Sequence, residues 1–295
     1  MTLDPGIGDF ADTIVNYTLD NYSPVLDAIA EGIGFITDGI KAGLLALPAP
    51  VAIGLLVLLA LWRVGVGFAL FTVAALTIIS GMGLWVQTME TLALVIAATL
   101  IALAIGVPLG IAMARKDIVA TLVRPVLDLM QTMPAFVYLI PAAMFFGLGA
   151  VPGTIATVIF SMPPVVRLTD LGIRQVQAEY VEAGLAFGCT DRQLLWKVQF
   201  PLAMPSIMAG MNQTIMLSLS MVVIASMIGA GGLGNTVLTG IQRLDVGLGF
   251  EGGLAVVVLA VILDRVTQSV GRASAFGTAV RALFSRKPDG AAKPA

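Results

Sequence analysis

Histidine is missing from this chain of 295 residues, cysteine occurs once, at Cys189, and charged residues make up only 12%. Each scarcity closes off a class of function. With no histidine and a single thiol, the chain has no Cys/His set for a zinc, copper or haem site and no internal disulfide. A Ser-His-Asp triad is excluded, and neither paired carboxylates nor a phosphate loop is present, so the chain is not expected to be an enzyme by itself. No metal or cofactor is expected either. Soluble domains carry about 25% charged and 45–50% apolar residues. Here hydrophobic residues reach 58%, the composition of an integral membrane protein. The net charge is −2, with lysines and arginines scattered at the edges of apolar runs, which gives no basic face for nucleic acid. The opening MTLDPGIGDFADTIVNY lacks the basic start and apolar run of a signal peptide, so the spanning segments are expected to direct insertion themselves.

What is present is a series of apolar runs. A bilayer core of about 30 Å needs roughly 20 residues of helix. Candidate spans are 46–62, 65–85, 92–113, 134–149, 151–166, 206–228 and 252–270, about seven in an all-α fold. Ahead of them, residues 1–22 read as a mobile, acidic lead-in. From Ser23-Pro24, a plausible N-cap and first helical position, Leu26, Ile29, Ile33, Ile36, Ile40 and Leu44 recur at helical spacing. This amphipathic helix is expected either to pack on the bundle or to serve as a plain connector. Pro134, Pro141, Pro152 and Pro163-Pro164 break the 134–166 region. Broken helices are tolerated at depth where protein or a water-filled cavity satisfies the freed backbone groups, so this region is expected to line a path.

Charge sets the orientation. With the polar segment 182–201 labelled as inside, the inside loops and tail carry Arg63, Arg115, Lys116, Arg124, Arg167, Arg174, Arg192, Lys197, Arg265, Arg272, Arg281, Arg286, Lys287 and Lys293. Only Lys41 and Arg243 lie outside, a strong positive-inside bias. The N-terminus is then outside and the C-terminus cytoplasmic. The chain divides into an extracytoplasmic region 1–45, two accessory spans in 46–85, a core 86–271 with a polar loop 174–205, and a tail 272–295.

That polar segment reads EAGLAFGCTDRQLLWKVQFP. Glu182-Ala183-Gly184, three residues, Gly188, nine residues, Val198, one residue, then Phe200-Pro201 matches the spacing E-A-A-x3-G-x9-I-x-L-P. It resembles the EAA motif of ABC-importer permeases, departing from it at Gly184, Val198 and Phe200. VRPVLDLMQTMPAFVYLIPA (123–142), ATVIFSMPPVVRLTDLGIRQV (156–176), SIMAGMNQTIMLSLSMVVIASMIGAGGLG (206–234) and GIQRLDVGLGFEGGL (240–254) look like the branch that imports glycine betaine, proline and choline. The resemblance implies a type I importer core and a homodimeric permease in a bacterial inner membrane. It also implies two copies of a cytoplasmic ATPase docked on 182–201 and an extracytoplasmic substrate-binding protein. The rivals are a permease for another small solute, such as an amino acid, and an ion-coupled carrier using Glu251 or Asp264.

Gly229-Ala-Gly231-Gly232-Leu-Gly234 spells G-x-G-x-x-G. A dinucleotide site needs a strand before it and a βαβ unit around it; here a spanning helix precedes it, and the turn is expected to act as an outer gate. Candidate path residues are Gln131, Phe136, Tyr138, Asn212, Thr214 and Ser218. Ser and Thr within spans are more often interhelical contacts than ligand groups, so both roles stay open for them.

Overall fold

The computed structural model describes residues 7–270, and among them every regular element is helical. The helices are α1 (Ile7–Leu45), α2 (Ala49–Arg63), α3 (Val66–Gly81), α4 (Trp85–Arg115), α5 (Asp117–Thr132), α6 (Leu139–Phe146), α7 (Ala150–Ser161), α8 (Pro163–Arg174), α9 (Ala178–Ala186), α10 (Asp191–Leu194), α11 (Phe200–Ala225), α12 (Gly232–Arg243) and α13 (Val246–Val270). Four stretches are long and apolar enough to cross a membrane: Trp85–Arg115, Ala150–Arg174, Asp191–Ile228 and Val246–Ser269. Two bent pairs raise the number to as many as 6. In these α1 turns into α2 by 101°, and α5 into the helical turn that begins at Ala135 by 111°.

Every expected run falls on helix, with three differences of extent. The run 151–166 continues to Arg174, because Pro163 and Pro164 sit in the first turn of α8, where a missing N–H goes unnoticed. The run 134–149 becomes a 3-10 turn, Ala135–Tyr138, and the 8-residue α6. At 1.5 Å per residue α6 is about 12 Å long, too short to cross alone. The first helix begins at Ile7 instead of Ser23, so Pro24 lies in its interior. The Ser23 hydroxyl donates to the Asp27 carboxylate one turn ahead instead of capping a backbone N–H.

The centre of the bundle is α8, wedged between α4 and α11. Small residues permit the approach. A methyl on Gly106 would lie 2.6 Å from Val165 Cγ1, one on Gly110 2.6 Å from the Val166 carbonyl, and one on Gly172 2.7 Å from Ser206 Cβ. Close backbone approach of this kind is how spanning helices associate, since lipid supplies no hydrophobic contrast between them. The main core surrounds this wedge and includes Leu76, Met89, Val95, Met221, Val222, Leu233 and Leu259. The α2–α3 hairpin rests on α13, and α1 lies against α4, α6 and α7. With 39 residues α1 is about 58 Å long. Its packed face is rotated from the expected isoleucine stripe: Thr37 is buried, while Ile29 and Ile36 stay exposed.

Candidate functional site

The polar segment 182–201 lies in a hairpin of short helices that follows α8. α9 ends in a turn where the Cys189 N–H donates to the Gly184 carbonyl at 3.0 Å and the Gly188 N–H to the Leu185 carbonyl at 2.9 Å. This 6→1, 5→2 pair is a Schellman motif, and Gly188 takes the left-handed position with φ +76. Thr190 and Gln193 then close a capping box that starts α10. Leu195–Gln199 forms a π turn, and the chain runs straight on into α11 with Pro201 in its first turn. Gly184 is buried against α10, where a methyl would lie 2.8 Å from Leu194 Cδ1, so an alanine there displaces only the end of that leucine side chain. Glu182 and Ala183 are exposed, while Val198 and Phe200 are half-buried. The hairpin presents Leu185, Phe187 (90% exposed) and Trp196 to its surroundings. Sequence reading concentrated on the motif positions and passed over this apolar rim.

A charged frame holds the hairpin's root. Asp170, buried on α8, accepts from Arg174 Nε at 2.6 Å and from Arg124 Nη2 of α5 at 3.4 Å. Arg174 also pairs with Asp117 at 2.8 Å and donates to the Met113 carbonyl at the end of α4. Arg167 pairs with Asp128 nearby. These contacts tie α4, α5 and α8 into one body where the hairpin begins.

At the opposite end of α4 lies the glycine turn. Gly229, Gly231 and Gly232 all have positive φ, +81, +84 and +71, which side-chain-bearing residues rarely adopt. The turn redirects the chain from the 3-10 turn Ser226–Ile228 into α12. Glu90 of α4 accepts the Gly232 N–H at 3.1 Å, and Thr91 Oγ1 accepts the Leu233 N–H at 2.8 Å. A carboxylate therefore occupies the N-terminus of α12, the place a pyrophosphate would take in a dinucleotide fold. Glu90 also pairs with Lys41 of α1 at 2.7 Å, so three elements meet on one side chain. Gly234 packs against α11, where a methyl would lie 2.8 Å from Val223 Cα.

The expected path residues divide between two faces. Gln131 and Phe136 are exposed, and Tyr138 is buried with its hydroxyl donating to the Met130 carbonyl at 2.6 Å. Asn212, Thr214 and Ser218 lie on the packed side of α11. Asn212 donates to Asp264 at 3.1 Å and accepts from Thr267, and Ser218 donates to Ser161 at 2.9 Å. The open side of α11 carries Ala209, Gln213, Met216 and Ser220, and the 3-10 turn with Phe136 touches this helix. Asp264 accepts from Gln268 as well, which fixes it as a helix-to-helix anchor. Glu251 is half-buried in the second turn of α13. The tail 272–295 lies outside the described residues.

Comparison with known proteins agrees with this architecture. Residues 106–274, more than half of the chain, match the family model described as the inner membrane component of binding-protein-dependent transport systems. The glycine betaine/proline betaine transport system permease protein ProW of Escherichia coli is 53% identical over 261 residues, covering 88% of this chain and 73% of that protein. The glycine betaine transport system permease protein OpuAB of Bacillus subtilis is 47% identical over 264 residues, covering 90% of this chain and 94% of that protein. Among solved structures, a chain of the MetNI methionine ABC transporter in an inward facing conformation superposes with a TM-score of 0.55 at 19% identity, over 62% of this chain and 93% of that chain. That likeness is one of fold. On the family match, the long close relatives and the helical core they share, this chain belongs to the family of inner membrane components of binding-protein-dependent transport systems.

Proposed function

We propose that the chain is the permease of an ATP-driven importer for small osmolytes of the glycine betaine and proline betaine type. A separate ATPase docks on residues 182–201, and an extracytoplasmic binding protein delivers solute to the other face. The observation that carries this reading is the hairpin: a capped, glycine-turned polar element that leaves the large apolar side chains of Leu185, Phe187 and Trp196 exposed. Exposed apolar clusters of this kind mark interaction surfaces. The positive-inside bias supports a cytoplasmic position for the hairpin, where ATP is, and an N-terminus outside.

Two copies of the chain pair across the open side of α11, where Gln213, Met216 and Ser220 with Phe136 and Gln131 line the route. When the ATPase closes, it draws the two hairpins together. The frame around Asp170 passes that movement to α4, α5 and α8 without deforming, and the route opens to the opposite side. Glycine betaine uptake into proteoliposomes containing the permease, its ATPase and internal ATP, with the binding protein outside, tests the reading. Uptake that needs all three components is expected. Uptake that persists without the ATPase and collapses with an ion gradient would replace the importer with a carrier.

A further inference from the structure

Between α1, the Trp85 end of α4 and the glycine turn lies a cavity of about 220 Å³. Other clefts run along α2, α3 and α13 and are walled mostly by leucine, valine and phenylalanine. This one is about half polar. Thr37, Asp38, Lys41 and Glu90 form its polar wall, Ala93 and Leu94 its apolar one, and Ala150 and Gly229–Gly231 close it.

Thr37 is 2% exposed, and its hydroxyl has no hydrogen-bond partner. Thr88, Thr91 and Thr154 return the hydroxyl to the carbonyl one turn back; the buried hydroxyls of Thr99, Thr169 and Thr214 are unpaired as Thr37's is, but of these four only Thr37 lines this cavity. A buried hydroxyl left unpaired costs about 1–3 kcal/mol, so Thr37 is an unused polar group aimed into this space. Lys41 lies one turn further along the same face of α1. One of its three N–H donors serves Glu90, whose second oxygen is committed to Gly232. Asp38 makes no ion pair among the described residues. The wall thus offers two donors, Lys41 and Thr37, and one open carboxylate. Drug-sized ligands occupy about 300–1,000 Å³, and this space suits something smaller.

We propose that the cavity is a binding site for a small zwitterion. Lys41 and Thr37 hold its carboxylate, and Asp38 faces its cationic nitrogen. The site rests on the proposed function for the side it faces and for the solute class. It also has a consequence for the turn beside it: a ligand carboxylate on Lys41 competes with Glu90, the group that holds the N-terminus of α12.

The test is equilibrium binding of radiolabelled glycine betaine to the full-length chain in phosphatidylglycerol nanodiscs, without ATPase or binding protein. Saturable binding is expected, weakened at least ten-fold by Asp38→Asn and by Thr37→Val. Choline, which lacks the carboxylate, and acetate, which lacks the cation, displace it poorly. Thr37→Val supplies a readout that a merely structural role would not give. It removes an unpaired buried hydroxyl, so the empty protein keeps or raises its thermal midpoint while ligand affinity falls. Absence of saturable binding, or binding that both variants leave unchanged, overturns the site. Nanodiscs containing phosphatidylethanolamine test the other source of the same chemistry: binding abolished by that lipid assigns the cavity to a headgroup and overturns a solute site. Uptake by the complete system separates the two readings. Uptake with no binding to the permease alone refutes the cavity and leaves the importer standing, whereas a complete system that fails to take up glycine betaine refutes the substrate class.

Discussion

Gly188 offers a perturbation whose size follows from the backbone. Its φ is +76, and an added Cβ would meet nothing within 4 Å. Substitution therefore carries a conformational cost and no packing cost. For an ordinary L-residue the left-handed position costs about 1–2 kcal/mol, while asparagine visits it more readily. A β-branched side chain fares worst there. Where the strained turn has to be re-formed for docking, an ATPase that recognises it loses affinity by the corresponding factor, about 5–30-fold for Gly188→Ala. The expected order is Gly, then Asn, then Ala, then Val. Biolayer interferometry of the purified ATPase on permease-loaded nanodiscs measures it, with size-exclusion profiles confirming that each variant remains intact. Equal affinity for Gly188→Val and the native chain would show that the turn is not what the ATPase reads. Asparagine as damaging as valine would show that any side chain at this position obstructs docking, and the conformational reasoning would fail.

Three further outcomes follow from the packing. Asp170→Asn leaves Arg124 facing a neutral group while Arg174 keeps Asp117 and the Met113 carbonyl, and is expected to cost about 1–3 kcal/mol; Arg167→Gln breaks an exposed pair and costs under about 1 kcal/mol, so thermal unfolding in detergent ranks Asp170→Asn as the more damaging. Gly110→Ala overpacks the α4–α8 contact by about 1–3 kcal/mol, whereas Gly54→Ala, with nothing within 4 Å of its Cβ, gains up to about 1 kcal/mol of helix propensity; equal thermal midpoints would refute the wedge. Ser218→Ala removes a hydrogen bond worth about 0.6 kcal/mol and leaves uptake intact, whereas Gln213→Trp on the open side of α11 blocks it, and the reverse result would return the route to the packed face.

The spanning runs were legible because a continuous apolar stretch needs no partner to be recognised. α5 and α12 were not, since both are amphipathic and too polar to register as spans, and neither has a flanking signal as plain as Ser23-Pro24. That pair misled for a related reason: Ser and Pro mark a helix start locally, but the helix forms through them. On α11 the sequence offered polar residues without a face to assign them to, because the helix is apolar all round. Only the neighbours decide: Asp264 and Thr267 claim Asn212, Ser161 claims Ser218, Ser220 returns its hydroxyl to the Met216 carbonyl of its own helix, and Gln213 stays exposed. The spacing of the motif at 182–201 was readable in the sequence, but that Gly184 faces Leu194 is seen only in the structure.

The π turn at Leu195–Gln199 lies between the short-helix hairpin and α11. A helix advances 100° per residue, and a π turn takes up one residue more than an α turn. Deleting one residue from 195–199 therefore lets the turn close as an ordinary helical turn and leaves the hairpin's angle about the α11 axis nearly unchanged, whereas deleting one residue from the α-helical stretch after it, with no such turn to absorb the loss, rotates the hairpin by about 100°. The π turn is thus a point of slack in the chain: a residue lost there keeps the hairpin's bearing, and the same loss a few positions later does not.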